Sequence, residues 1–180
     1  MSNSSNPVPK RYLTHREFWE HSDQMMAQII DAVRSGQEYK AIVFAPRGGL
    51  PVAYEIISAL GSDLLQLPAQ ITSYQNEKKV KEPRFLPTNL ELLKGALKDF
   101  KESEILFVDD IRDSGGTQRV FLSEFPGAHT ACVYARYEDH GLTYVGNVVG
   151  NEDWLVFPME ERTIDDHGNT HPRPWKAKVV

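Results

Sequence analysis

The densest chemistry in the chain lies in Val108-Asp-Asp-Ile-Arg-Asp-Ser-Gly-Gly-Thr117. Two adjacent carboxylates, Asp109 and Asp110, precede a third, Asp113, and a loop in which Ser114 and Thr117 flank Gly115 and Gly116. Glycines let backbone N–H groups converge, the hydroxyls add donors, and a following helix adds the partial positive charge of its N-terminus. Such a loop cradles a phosphate. Asp109 and Asp110 would repel a bare phosphate, yet they accept hydrogen bonds from hydroxyl groups. The combination suits a ligand carrying vicinal hydroxyls and a phosphate together, and ribose 5-phosphate is the commonest such metabolite. Neither Gly-x-x-x-x-Gly-Lys-Ser/Thr nor Gly-x-Gly-x-x-Gly occurs, which excludes two other phosphate loops.

A second loop, Ala45-Pro-Arg-Gly-Gly-Leu50, repeats the logic. Gly48 and Gly49 free the backbone to approach an oxyanion, and Arg47 can grip one bidentately. Alone, Arg-Gly-Gly is a common turn; its interest comes from the company of the first loop.

Both loops need rigid elements behind them, and the pattern supplies these. Ala41–Ala45 and Ile105–Val108 are short apolar runs suited to strands buried on both faces. Open α/β sheets place ligands at such strand ends. Pro51–Leu60, closed by Gly61, and Thr117–Phe125 read as helices after the two loops. Thr14-His-Arg-Glu17 has the form of a capping box, and the apolar spacing from Phe18 to Val33 predicts a helix that Gly36 stops. Leu64–Leu67, Ile71–Tyr74, Thr130–Ala135, Tyr144–Val149 and Trp154–Phe157 read as strands. Leu90–Phe100 reads as a helix with Asn89 as its cap. Between Gln75 and Thr88 the pattern vanishes, and the tail from Arg162 receives no structure. Strands alternating with helices predict an α/β fold around a mostly parallel sheet.

Length and composition narrow the class. A chain of 180 residues suits one domain, expected over residues 1–180 with a loose N-terminus at 1–12 and a polar tail at 162–180. A formal net charge of -5 argues against a nucleic-acid platform. No apolar stretch is long enough to span a bilayer, and the start lacks a signal peptide's hydrophobic region. The single cysteine, Cys132, sits in an apolar run and reads as a buried thiol, which fits a reducing, cytoplasmic setting.

Val-Asp-Asp-Ile-Arg-Asp-Ser-Gly-Gly-Thr resembles the PRPP-binding signature of the type I phosphoribosyltransferases. The resemblance implies that Asp109 and Asp110 hold ribose hydroxyls, in part through Mg²⁺, and that Ser114, Gly115, Gly116 and Thr117 hold the 5-phosphate. Arg47 and Gly48 then belong to a pyrophosphate loop, and Asp113 is the catalytic group beside N7 of a purine. Ser73–Thr88, with Lys78, Lys79, Lys81 and Arg84, matches a loop that closes over the sugar. Arg112 departs from the family, which more often has an apolar residue there.

Ala135-Arg136 followed by Trp154-Leu-Val-Phe-Pro-Met-Glu160 is similar to the base-binding part of xanthine-guanine phosphoribosyltransferases, a hood over residues 136–161. By that likeness Arg136 meets a 6-oxo group, Trp154 stacks on the ring, Leu155 contacts its edge through the backbone, and Glu160 joins Asp110 as a metal ligand. Arg and Glu stand where the family has Lys and Asp. The implied partners are PRPP and a purine base, without nucleic acid or membrane, in a homo-oligomer. Transfer to a different base, or a PRPP- or nucleotide-sensing module on the same fold, are the alternatives.

Overall fold

The computed structural model describes residues 9–75, 78–150, 153–159, 162–164 and 170–172. In chain order the first elements are β1 (Lys10–Tyr12), α1 (His15–Arg34), β2 (Ala41–Phe44), α2 (Gly49–Leu60) and β3 (Leu65–Pro68). Then come β4 (Ile71–Gln75), β5 (Lys78–Phe85), α3 (Pro87–Leu97), β6 (Ile105–Arg112), α4 (Gly116–Glu124) and β7 (His129–Ala135). The last are β8 (Tyr144–Val148), β9 (Trp154–Val156), β10 (Arg162–Ile164) and β11 (Thr170–Pro172). The chain divides into two compact units. One runs from residue 21 to residue 149; the other joins the two ends, up to residue 20 and from residue 150.

The larger unit is built on five parallel strands in the order β3-β2-β6-β7-β8. The chain passes from β2 outward to β3 and later returns to place β6 on the other side of β2. The strand order therefore reverses between β2 and β6, the kind of point at which open parallel sheets bind ligands. The apolar runs expected as strands are these central strands, and Ile105–Val108 is buried throughout. Helices α3 and α4 close a core with Val43, Phe107, Leu93, Leu97, Phe121 and Phe125. Phe107 stacks on Phe121 with ring centroids 4.3 Å apart, an offset arrangement that adds to burial alone.

In the smaller unit β1 pairs in parallel with β9, and β10 with β11 in antiparallel fashion. The capping box forms as expected: Thr14 N–H donates to Glu17 Oε2 at 3.0 Å, and Glu17 N–H to Thr14 Oγ1 at 3.1 Å. Leu13, Phe18 and Phe157 are its buried apolar residues nearest this cap, with Phe18 edge-on to Phe157.

Four expectations need correction. The patternless stretch after Gln75 contains β5, an antiparallel partner of β4. A two-stranded ribbon is held by its backbone ladder and leaves little alternation in sequence. Asn89 does not cap α3, because Pro87 starts the helix two residues earlier and the capping position falls to Leu86. The buried Asn89 amide instead donates to Pro68 O at 2.8 Å and accepts from Gln70 N–H at 2.7 Å, tying the β3–β4 connection to α3. Lys10–Tyr12, read as loose, is a strand because β9 offers a free edge. The tail likewise carries β10 and β11, whose pairing is local and independent of apolar content. Among the described residues no helix is long and apolar enough to cross a membrane.

Candidate active site

Register decides which side chains meet. Phe44 pairs with Val108, so the loop that follows β2 leaves the sheet beside the point where β6 carries the acidic pair onward. Ala45 N–H still donates to Val108 O at 3.0 Å. The loop then folds back onto β6 so tightly that a Cβ on Gly49 would stand 2.5 Å from the Val108 carbonyl oxygen. A Cβ on Gly48 would overlap the Asp110 carboxyl group. The glycines of Arg-Gly-Gly are thus what lets the first loop touch the acidic pair. The Pro46–Arg47 peptide is cis, and Arg47 is exposed at the loop's crest.

Strand β6 continues through the pair to Arg112 instead of ending at it, so Asp109 and Asp110 are held by the ladder and both are buried. Asp109 Oδ1 accepts the Asp110 N–H at 3.0 Å, and its Oδ2 faces Gln118 Nε2 at 3.5 Å. Asp110 Oδ1 accepts the Ile111 N–H at 2.7 Å. Burial, and after it the charge of Asp110, pushes the Asp109 carboxyl well above the ordinary carboxylate range. Burial, followed by the charges of Asp109 and Asp110, likewise raises the Cys132 thiol, which is fully buried and takes a hydrogen bond from Gln118. Cys132 is a protonated core residue, as the sequence suggests.

Two desolvated carboxylates side by side are relieved by a cation, and their oxygens are hard donors. Among the described residues no cluster of three or more His, Cys, Asp or Glu exists. Such a donor set fits Mg²⁺, which is commonly held by one or two carboxylates with the remaining positions left to substrate oxygens and water.

Beyond β6 the chain turns through Asp113-Ser114-Gly115 into α4. Gly115 takes φ +73°, left-handed, at the capping position of the helix. The Arg112 guanidinium lies flat against it: Cζ and Nη2 come to 2.8 Å of where a Cβ would be. The Arg112 charge therefore lies at the loop. Arg119 Nη1 donates to Ser114 O at 2.7 Å and pins the turn. Gly115 and Gly116 are buried, Thr117 is half-buried and Ser114 exposed.

The third part of the site comes from β7. Arg112 pairs with Ala135, and Arg136 N–H donates to Arg112 O at 3.1 Å. One residue further along each chain, Arg136 Nε and Asp113 Oδ1 form an ion pair at 3.5 Å. The Arg136 side chain is 7% exposed and that of Asp113 45%. A buried cation next to an accessible carboxylate forms a donor–acceptor pair at the mouth of the Asp113–Thr117 loop.

A family model for the phosphoribosyl transferase domain matches residues 9–139, which include both loops, the acidic pair, Asp113 and Arg136. This chain belongs to the phosphoribosyltransferase family. A xanthine-guanine phosphoribosyltransferase of Nitratidesulfovibrio vulgaris strain Hildenborough is 32% identical over 124 residues, which cover 68% of this chain and 69% of that one. A purine phosphoribosyltransferase from Pyrococcus horikoshii shares the fold with a TM-score of 0.57 at 24% identity, over 87% of this chain and 97% of the other. A hypothetical protein from Neisseria gonorrhoeae with bound ppGpp does so at 0.63 and 16% identity, over 89% and 94%. The five-stranded parallel sheet with flanking helices is the type I phosphoribosyltransferase fold.

The structure thus brings together Arg47, Gly48, Asp109, Asp110, Asp113, Ser114, Gly115, Gly116, Thr117 and Arg136. Trp154 belongs to the smaller unit and is 47% exposed, so it is no core aromatic; its N–H donates to Pro9 O at 2.7 Å. Leu155 is buried beside it in β9, opposite Arg11. Glu160 lies outside the described residues, as do the side chains of Lys78, Lys79 and Lys81. Two residues escaped the sequence reading. Gln118 holds Asp109 and Cys132, and Arg119 holds the turn. Their position one turn into the helix after the glycines was the only signal available.

Proposed function

We propose that this phosphoribosyltransferase-family protein is a magnesium-dependent enzyme that transfers the 5-phosphoribosyl group of PRPP to a 6-oxopurine. The products are a nucleoside 5'-monophosphate and pyrophosphate. The observation that carries the reading is the Arg136–Asp113 pair at 3.5 Å. A 6-oxopurine with a proton on N7 shows an acceptor, O6, next to a donor, N7–H. A cation beside a carboxylate complements that edge. Adenine offers an amino donor where the cation stands and is mismatched.

In this reading the loop of Ser114–Thr117 binds the 5-phosphate through backbone N–H groups, hydroxyls and the helix N-terminus. Arg47 and the backbone at Gly48 take the pyrophosphate, and the Arg112 charge strengthens the local field. Asp109 and Asp110 hold the ribose hydroxyls and would hold Mg²⁺, with Glu160 a further ligand candidate. When bound, Mg²⁺ supplies positive charge for the departing pyrophosphate. The bond from C1' to pyrophosphate breaks, a purine ring nitrogen bonds to C1', and Asp113 accepts the N7 proton released by the ring. Trp154, exposed, supplies a face for stacking, and Leu155 a backbone contact.

The test is a panel of guanine, xanthine, hypoxanthine, adenine, uracil and orotate with PRPP and Mg²⁺, read by pyrophosphate release. Turnover confined to oxopurines supports the reading. Turnover only with a pyrimidine moves the assignment to another base. The second reading, a sensor of PRPP or nucleotides, draws on the Neisseria protein of the same fold that carries ppGpp. Nucleotide binding without turnover on any base would favour it.

A further inference from the structure

We propose that Pro83 and Gly116 form a seat that sets the height of the β4–β5 ribbon above the phosphate loop, which makes Pro83 a positioning residue for the transfer reaction. The proposal rests on the functional reading above for its link to catalysis, though not for the seat itself. Gly116 opens α4, so its N–H is among those the helix leaves without an internal partner and the cradle offers to an anion. The space where its side chain would stand is taken. A Cβ there would lie 2.8 Å from Pro83 Cγ, 3.4 Å from Pro83 Cδ and 3.7 Å from Ser114 Oγ. The pyrrolidine ring is closed onto the β5 backbone, so apart from a change of pucker at Cγ it moves only with the strand. A side chain at position 116 therefore presses on the strand.

The contact has a second point of support. The β4–β5 register shifts between Thr72 and Tyr74, next to Pro83, yet Pro83 and Phe85 both meet α4. Phe85 is buried and meets Phe121 of α4 with ring centroids 6.4 Å apart. Two residues of strand span about 6.6 Å, and the five helical steps from Gly116 to Phe121 span about 7.5 Å. The strand and helix therefore run along each other with Pro83 at the loop end and Phe85 farther in. Phe85 is the fixed end, reinforced by Leu86 N–H to Gln70 O at 2.9 Å and Thr72 Oγ1 to Arg84 O at 3.1 Å. Pro83 is the point at which the ribbon rests on the loop. Gly116 thus serves two neighbours at once, offering its N–H to an anion and its bare Cα to the ribbon. Whatever shifts the loop on binding phosphate shifts the ribbon's foot.

The experiment uses the full chain as Gly116→Ala, Pro83→Ala and the double variant. Alanine at 83 lacks Cγ and Cδ and clears the space that a Cβ at 116 needs. The first readout is hydrogen exchange of the ribbon amides without ligand. Gly116→Ala should speed it by about five- to a hundredfold, the size of an overpacking penalty, and Pro83→Ala in addition should bring it back toward the parent rate. The second readout is PRPP turnover with guanine. Gly116→Ala should lose about tenfold or more in kcat and divert PRPP to hydrolysis, and the double variant should lose less of both than Gly116→Ala alone. Pro83→Ala alone should loosen the ribbon and raise the hydrolysed share while leaving the KM for base unchanged. A double variant as impaired as Gly116→Ala overturns the proposal, because the alanine would then act on the anion and not on the ribbon. Should Gly116→Ala not fold, unchanged ribbon exchange in Pro83→Ala overturns it equally. A parent without turnover on any base would sink the functional reading, while the exchange data still decide the seat.

Discussion

Gly48→Ala tests whether the first loop and the acidic pair act as one site. A Cβ on Gly48 would stand 2.6 Å from Asp110 Oδ1 and closer still to Asp110 Cγ and Oδ2. Ordinary van der Waals contact begins near 3.4 Å, so even the farthest of the three atoms is short of room by about 0.8 Å. The overlap can be relieved in two ways. If the Asp110 carboxylate swings away, it gives up the Ile111 N–H at 2.7 Å, a hydrogen bond to a charged group worth about 1.5–3 kcal/mol. If the loop backs away instead, Arg47 moves by about 1 Å, and a displacement of that size in a positioned site costs about 10²-fold in rate. Both routes converge on a loss of about 10²-fold in kcat/KM for PRPP. The first route also lowers the thermal midpoint, by about 2–4 °C per kcal/mol of hydrogen bonding lost, whereas the second leaves it near the parent's. The assay is initial rate against PRPP at saturating base, with thermal unfolding alongside. Gly95→Ala is the control, because nothing lies within 4 Å of a Cβ there; in the last turn of α3 it should raise stability slightly and leave kcat/KM alone. A Gly48→Ala protein with the parent's kcat/KM would refute the coupling of loop and carboxylate.

Asp113→Asn should bind PRPP normally in calorimetry but lose about 10²–10⁴ in kcat, as a general base would; a near-parental kcat would leave Asp113 only a turn-forming role. Arg136→Gln should reduce kcat/KM for guanine and hypoxanthine far more than for adenine, and equal losses would contradict its reading of O6. Trp154→Ala should raise the KM for base about ten- to a hundredfold, the worth of one stacking partner, with PRPP affinity kept; an unchanged KM for base would remove the stacking role. Asn89→Ala should leave the buried partners at Pro68 and Gln70 unsatisfied, costing about 1–3 kcal/mol and lowering the thermal midpoint by about 2–4 °C per kcal/mol. An unshifted midpoint would show that water replaces the amide.

The parts of the fold that were legible are those in which burial writes itself into composition. Ala41–Phe44 and Ile105–Val108 are covered on both faces, and an apolar run is what that requires. Capping at Thr14 and Glu17 is local chemistry, so four residues are enough to foresee it. The ribbon, the terminal strands and Asn89 were not legible for one common reason. Each is decided by a distant backbone: β4 for β5, β9 for Lys10–Tyr12, and the carbonyl of Pro68 for Asn89. Polar segments held by a neighbour's N–H and C=O groups carry little trace of that neighbour in their own residues.

The site divides along the same line. The glycines, hydroxyls and carboxylates of 109–117 act through local geometry, and their types and spacing disclose it. The Arg136–Asp113 pair joins residues far apart in sequence, and no spacing rule links them. What links them is a ladder: Arg112 opposite Ala135 in parallel register, with each strand ending there and Asp113 and Arg136 next in line. A slip of one residue in that register would turn the Arg136 side chain to the other face of the sheet and leave Asp113 without a cation beside it. On the proposed reading, the apolar residues of β6 and β7, which take no part in chemistry, would decide which base edge the pair can read. On this argument, core substitutions that loosen β7 against β6 should relax base preference before they abolish transfer, since the Asp113–Thr117 loop is carried by β6 and α4.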